Sequence, residues 1–184
     1  DLDKMAKGLE AQRSRVQRAI VQGLQEGGDK TRTQVRAAMR QQTGLVQLKS
    51  VTSRERTVNP YVSGREPKSG VGPVSGPSLQ YVIIYTGKPT KPKEFRWSAR
   101  RGPGGGVVVW VWNVYHKFKR SFLGSGKIAG ALRMRTEPPR LPTRGFDGPN
   151  LAKEAVKGDV AHTFLTSAAA FVPEAILKRL ARAL

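Results

Sequence analysis

Cysteine is absent from the 184 residues, and only two histidines occur. The first absence excludes a disulfide framework and any thiolate metal site, and two histidines cannot build a zinc site without carboxylate help, so no metal or other cofactor is expected. Acid is scarce as well: 13 Asp+Glu stand against 33 Lys+Arg, a formal net charge of +20. Such an excess surrounds the molecule with a positive field that favours polyanions or acidic protein surfaces. No stretch reaches the roughly 18 apolar residues of a membrane span, and the opening DLDKMAKGLE is too polar for a secretory signal. A soluble chain with no membrane partner is therefore expected. Its length suits a single domain: an N-terminal helix over 1–42, sheet and loops over 43–148, and closing helices over 149–184.

Leu2, Met5, Leu9, Val16, Ala19, Ile20 and Leu24 recur at helical spacing, with Arg13, Arg15, Gln17 and Arg18 filling the other side. Gly27-Gly28 is expected to interrupt or kink this helix, with Asp29 capping a second segment that carries Val35, Ala38 and Met39. TGLVQLKSVTSRERTV, 43–58, reads as either helix or strand. Gly, Pro and Ser crowd 60–78, and 87–105 is basic and glycine-loosened, so both read as long loops. Between them SLQYVIIYT alternates as a strand, with Leu79, Tyr81, Ile83 and Tyr85 on one side and Val82 and Ile84 on the other. Val107–Trp112 is apolar on both faces, with Trp110 and Trp112 sharing one. Over 127–135, Leu132 and Met134 face inward and Arg133 and Arg135 outward. Antiparallel pairing of these strands is expected.

Asn150 is a good N-cap for a helix whose stripe is Leu151, Ala155, Val156, Val160, Phe164, Leu165, Ala168 and Phe171. Pro173 then either kinks that helix or starts a last one carrying Ile176, Leu177, Leu180 and Leu184. Helix, sheet, helix is the α+β pattern: a long N-terminal helix, a central antiparallel sheet with long loops, and C-terminal helices packed on the sheet.

Catalytic motifs are missing. GSGK at 124–127 imitates the end of a phosphate-binding loop, but Ser121 stands where that loop needs its first glycine and Ile128 where it needs Ser or Thr, which leaves a hairpin turn. His116 has no carboxylate at helical spacing, and His162 has only Asp159 near it, so neither reads as a base. The remaining signal is basic: Arg96, Arg100 and Arg101 around Trp97, and Arg133, Arg135, Arg140 and Arg144. Such residues either grip a phosphate backbone, with the indole stacking a base, or form a solvated or subunit-facing surface. Without a zinc finger, an RNP signature or a helix-turn-helix, sequence-specific readout is not expected.

Taken in order, KGLE (7–10), TGL (43–45), YTGKPTKPKEF (85–95), GVVVWVW (106–112), FKRSFLGSGKIAGALRMR (118–135) and PPRLPTRGFDGPNL (138–151) resemble the minor tail protein Z family, the tail-completion proteins of long-tailed bacteriophages. The resemblance spans nearly the whole chain. It implies a non-enzymatic virion subunit, assembled in the host cytoplasm, that closes the head-proximal end of the tail as a homo-oligomeric ring of six and enables head-tail joining. Its partners would be tail terminator or tail tube proteins, head-neck connector proteins, and phage DNA in the channel. On this reading the two-faced strand meets a neighbouring subunit, with Trp110, Trp112, Phe118 and Phe122 at the subunit interface. Arg96, Arg100, Arg101, Arg133 and Arg135 would face DNA or acidic neighbours. The alternative is a basic, sequence-independent nucleic-acid-binding protein acting as monomer or dimer; a nuclease is disfavoured by the lack of clustered acids for metal.

Overall fold

Paired glycines weaken an isolated helix, yet here they are what lets two helices and a ring come close. In the computed structural model, which describes residues 2–61, 79–100, 105–124, 131–135 and 143–183, the first helix, α1 (Leu2–Thr43), runs through Gly27-Gly28 without interruption. A Cβ added at Gly23 would stand 2.6 Å from the Ile176 Cα, and one at Gly27 would stand 2.7 Å from the Val172 Cα. At Gly28 it would strike the Tyr81 ring. The entropic cost of glycine is offset by backbone-to-backbone packing that no larger residue permits. Asp29 is therefore no cap: inside the helix, its Oδ1 accepts a hydrogen bond from Tyr81 Oη at 2.7 Å.

The ambiguous segment 43–58 is helix and then strand: α2 (Lys49–Thr52) is followed by β1 (Glu55–Val58), which pairs with β2 (Val82–Tyr85). Leu79 lies outside β2 and is exposed. The basic segment 87–105 is not one loop. It holds a 3-10 helix (Pro92–Glu94) and β3 (Arg96–Arg100), the outer strand of a sheet ordered β3-β4-β5, with β4 at Gly106–Val111 and β5 at Val114–Lys119. Both pairings are antiparallel. A third sheet orders β6 (Ser121–Leu123), β7 (Leu132–Arg135) and β8 (Thr143–Phe146), also antiparallel. The expected inward Leu132 is fully buried. Most of the 60–78 loop, Arg101, Arg140 and the SGK of GSGK lie outside the described residues.

β4 answers why so basic a chain carries so apolar a strand. It is the middle strand, and Val107, Val108 and Val109, which alternate between its faces, are each 1% exposed. The alternation stops before Trp112. Trp112 (φ 51) and Asn113 (φ 59) form the two-residue hairpin turn, which demands positive φ at both positions. Trp112 N donates to Thr43 O at 2.9 Å and Asn113 Nδ2 to Gln41 O at 2.9 Å, so the turn caps the open carbonyls of the last turn of α1.

Asn150 caps as expected, accepting from Ala152 N at 3.0 Å, but α3 (Leu151–Glu154) is a single turn. Gly158, at φ +61, separates it from α4 (Gly158–Ala183), which continues through Pro173 instead of breaking there. The expected stripe is also displaced. Leu151 and Val160 are buried, whereas Val156, in the turn before α4, and Phe164 and Leu165 within it are exposed. By length and composition α4 is long and apolar enough to cross a membrane, contrary to the expectation that no stretch is. Thr163, Thr166 and Ser167 interrupt its apolar run, but from Val160 to Leu177 Glu174 is its one charged residue.

The architecture is the expected α+β one. Its contacts divide the chain into two compact units, with boundaries inside α1 and α4: Asp1–Val35 with Arg56–Ile84 and Thr163–Leu184, and Arg36–Glu55 with Tyr85–His162. They are called the helical and the sheet unit below.

Candidate functional site

Scarce acid is spent on structure. In the sheet unit the Glu55 side chain, 1% exposed, takes a two-pronged pair from Arg36 at 2.8–3.1 Å and a hydrogen bond from Tyr85 Oη at 3.2 Å. Arg54 grips Glu94 at 2.8 and 2.7 Å. Burial pushes the Glu94 carboxyl up, but hydrogen bonds from Arg54 and the Lys91 backbone outweigh it and hold the group below its ordinary value. Glu154 follows the same balance: burial raises it, and hydrogen bonds from Lys157, Gln42 and Trp112 bring it down. Gln42 also accepts from Val160 N at 3.1 Å, joining the end of α1 to the start of α4. In the helical unit Arg179 donates twice to Glu26 at 3.0–3.1 Å and lowers it. Among the described residues no three His, Asp or Glu side chains are grouped to hold a metal ion.

The four aromatics expected at an interface do not share one patch within the chain. Trp110 pairs across the sheet with Tyr115, whose ring meets it edge-on at 5.5 Å, and the Arg96 guanidinium lies 5.1 Å from the Trp110 ring centroid. Phe118 pairs with Val107, three residues from Trp110 and so on the opposite face, and its ring lies 5.4 Å from that of Phe146 of β8, tilted by 46°. Phe122 is on β6, opposite Arg133. Trp112, in the turn, no longer shares a strand face with Trp110. Together with Val114 and Tyr115 it makes an exposed hairpin tip, at 45%, 55% and 47%.

The arginines are divided likewise. Arg96 and Arg100 belong to β3, opposite Trp110 and Gly106, whereas Arg133 and Arg135 belong to β7, opposite Gly145 and Thr143. His116 lies between the Trp112 and Phe118 rings, at 6.5 Å from each.

What the sequence reading missed is on α4. Leu165, Ala169, Pro173 and Leu177 follow one another every fourth residue and are all exposed, Leu165 and Leu177 at 66%. On the same helix Val172 and Ile176 meet the α1 glycines and Ala175 is buried. A stripe packed on the sheet or on α1 was expected; apolar residues left open could have been found by noticing that this helix is apolar all round. Comparison with protein-family models, with curated proteins and with solved structures finds no match.

Proposed function

We propose that this chain is a non-enzymatic structural subunit of a long-tailed phage virion, completing the head-proximal end of the tail as a homo-oligomeric, hexameric ring through which head and tail join around the DNA channel. The ordered motifs from KGLE to PPRLPTRGFDGPNL supply the family resemblance. The observation that carries the assembly is α4, which leaves Leu165, Ala169, Pro173 and Leu177 exposed while its Val172 and Ile176 meet α1. A single chain leaves the Leu165–Leu177 stripe in water, and exposed contiguous apolar surface marks an interaction site. A ring would cover it with identical neighbours. The hairpin tip of Trp112, Val114 and Tyr115 offers a further apolar contact, now in place of the four-aromatic set.

The test is the mass of the purified chain, alone and mixed with tails, by light scattering, together with electron microscopy of tails with and without it. A six-fold ring at the head-proximal end and a mass six times the monomer are expected. A chain that stays monomeric and leaves tails unchanged overturns the reading in favour of a basic binding protein.

A further inference from the structure

The segment GKPTKPKE, 87–94, is built as a rigid rail for cations. Thr90 and Pro92 are buried while Lys88, Lys91 and Lys93 are exposed. Thr90 N and Oγ1 both donate to Pro149 O, at 3.0 and 2.9 Å, Gly148 N donates to Thr90 O at 2.7 Å, and Asn150 Nδ2 donates to Gly87 O at 2.9 Å. Two prolines restrict the backbone further. The three lysines are thus carried on a fixed strip and border, with Lys49 of α2, a cleft of about 790 Å³. Two acids line it, Glu94 and Asp147, and Glu94 is neutralised by Arg54. Through Lys93 and Glu94 the cleft adjoins a second, of about 530 Å³, that ends at Arg96 and the 45%-exposed Trp97.

We propose that this groove of the sheet unit binds a nucleic-acid strand without regard to sequence, with backbone phosphates on Lys49, Lys88, Lys91 and Lys93 and a base against Trp97. Lysine is a point charge that suits repeated phosphates, and holding three of them on a clamped strip lowers the cost of ordering them. The half-exposed Trp97 indole at the end of the second cleft is a stacking surface for a base, which an acidic protein surface does not exploit. The groove belongs to one chain, so binding neither requires nor excludes a ring.

The experiment uses the full chain with a fluorescein-labelled 20-nucleotide strand of mixed sequence and the matching duplex, followed by anisotropy across a salt series. Because a net charge of +20 attracts any polyanion, the Lys88→Gln/Lys91→Gln/Lys93→Gln variant is set against Lys4→Gln/Lys7→Gln/Arg13→Gln, which removes equal charge from α1. Thermal melts confirm that both remain folded. The rail variant should lose about tenfold or more in affinity near 0.1 M salt, and the slope of log K against log salt should become shallower by about 2–3. The α1 variant should lose much less. Trp97→Phe should weaken the single strand more than the duplex, separating strand from duplex as the preferred form. Equal losses in the two triple variants, parental binding by the rail variant, or displacement of DNA by polyglutamate at the same charge concentration would each overturn the proposal, the last in favour of an acidic protein surface.

Discussion

Among the described residues the sheet unit buries Phe95, Met39, Leu132, Leu151, Val51, Val160 and Val107, Val108 and Val109 of β4, whereas the helical unit buries only Ala19, Val35 and Ala175 of its apolar side chains. The sheet unit also buries polar groups with partners supplied: Thr43 donates to Met39 O, Thr90 to Pro149 O, and Glu154 is held by Gln42. The helical unit relies on glycine-mediated closeness of α1 and α4 and on the Arg179–Glu26 pair, and it leaves Met5, Leu9, Leu165 and Leu177 in water. The sheet unit closes a core from its own chain and the helical unit buries little, while both leave apolar surface in water, the sheet unit at the Trp112–Tyr115 hairpin tip. Burial that is complete stabilises the fold, and burial that is withheld is available to assembly.

Truncation should expose that asymmetry most strongly. Phe95, 1% exposed, should lose about 3–5 kcal/mol as Phe95→Ala, whereas Leu177→Ala, on the open side of α4, should stay within about 0.5 kcal/mol. Urea denaturation of the monomer reads both. Comparable losses would mean that the helical unit has a core of its own after all. Next in size is Gly27→Val, which sets a branched side chain against the Val172 backbone and should cost about 1–3 kcal/mol by forcing α4 off α1. Intrinsic propensity favours valine over glycine in a helix, so a stabilised variant would show that the close approach is not needed.

The elements were legible from the sequence wherever one period governed them, and illegible wherever a distant group overrode it. Apolar spacing located α1, β4 and Leu132 on β7, and Asn150 announced its cap. Gly27-Gly28 read as a break because its purpose, room for Val172 and Tyr81, lies far along the chain. Trp112 read as strand because nothing local shows that Thr43 and Gln41 carbonyls draw the hairpin turn onto α1. Arg96–Arg100 read as loop because an edge strand beside a buried one carries its charge outward and shows no apolar alternation. The candidate surfaces were only partly visible: the basic residues and tryptophans were evident, but which of them share a face depends on the register of β3-β4-β5. The exposed Leu165 and Leu177 of α4 were hidden because both fall in apolar stripes that read as packed.

Acid should sharpen the contrast at an intermediate scale. Glu94 and Glu154 in the sheet unit and Glu26 in the helical unit all have folded pKa values below their ordinary ones. A depressed carboxylate contributes stability that is complete above its unfolded value, about 4.3, and is lost as pH falls through the folded value. Stability should therefore decline on acidification below that point, and Glu94→Gln or Glu154→Gln should flatten the decline while lowering stability at neutral pH. Glu26→Gln should do less, since its pair with Arg179 is more open to water and screened by salt. A larger flattening from Glu26→Gln would reverse the assignment of the more electrostatically dependent unit.

The smallest effect on folding should accompany the largest effect on assembly. Leu165 and Leu177 are two-thirds exposed and lie about three turns apart on α4, so Leu165→Glu with Leu177→Glu should change monomer stability by no more than about 0.5 kcal/mol. In a ring, however, each carboxylate would be buried without a partner at every subunit contact, a cost that repeats around the assembly. The double variant should therefore melt like the parent at low concentration and fail to form the oligomer by light scattering. Flotation with liposomes distinguishes the other fate open to such a helix. Parent chains that float while the variant does not would assign the stripe to lipid, and a variant that still assembles would place the subunit contact elsewhere, first at the Trp112–Tyr115 hairpin tip.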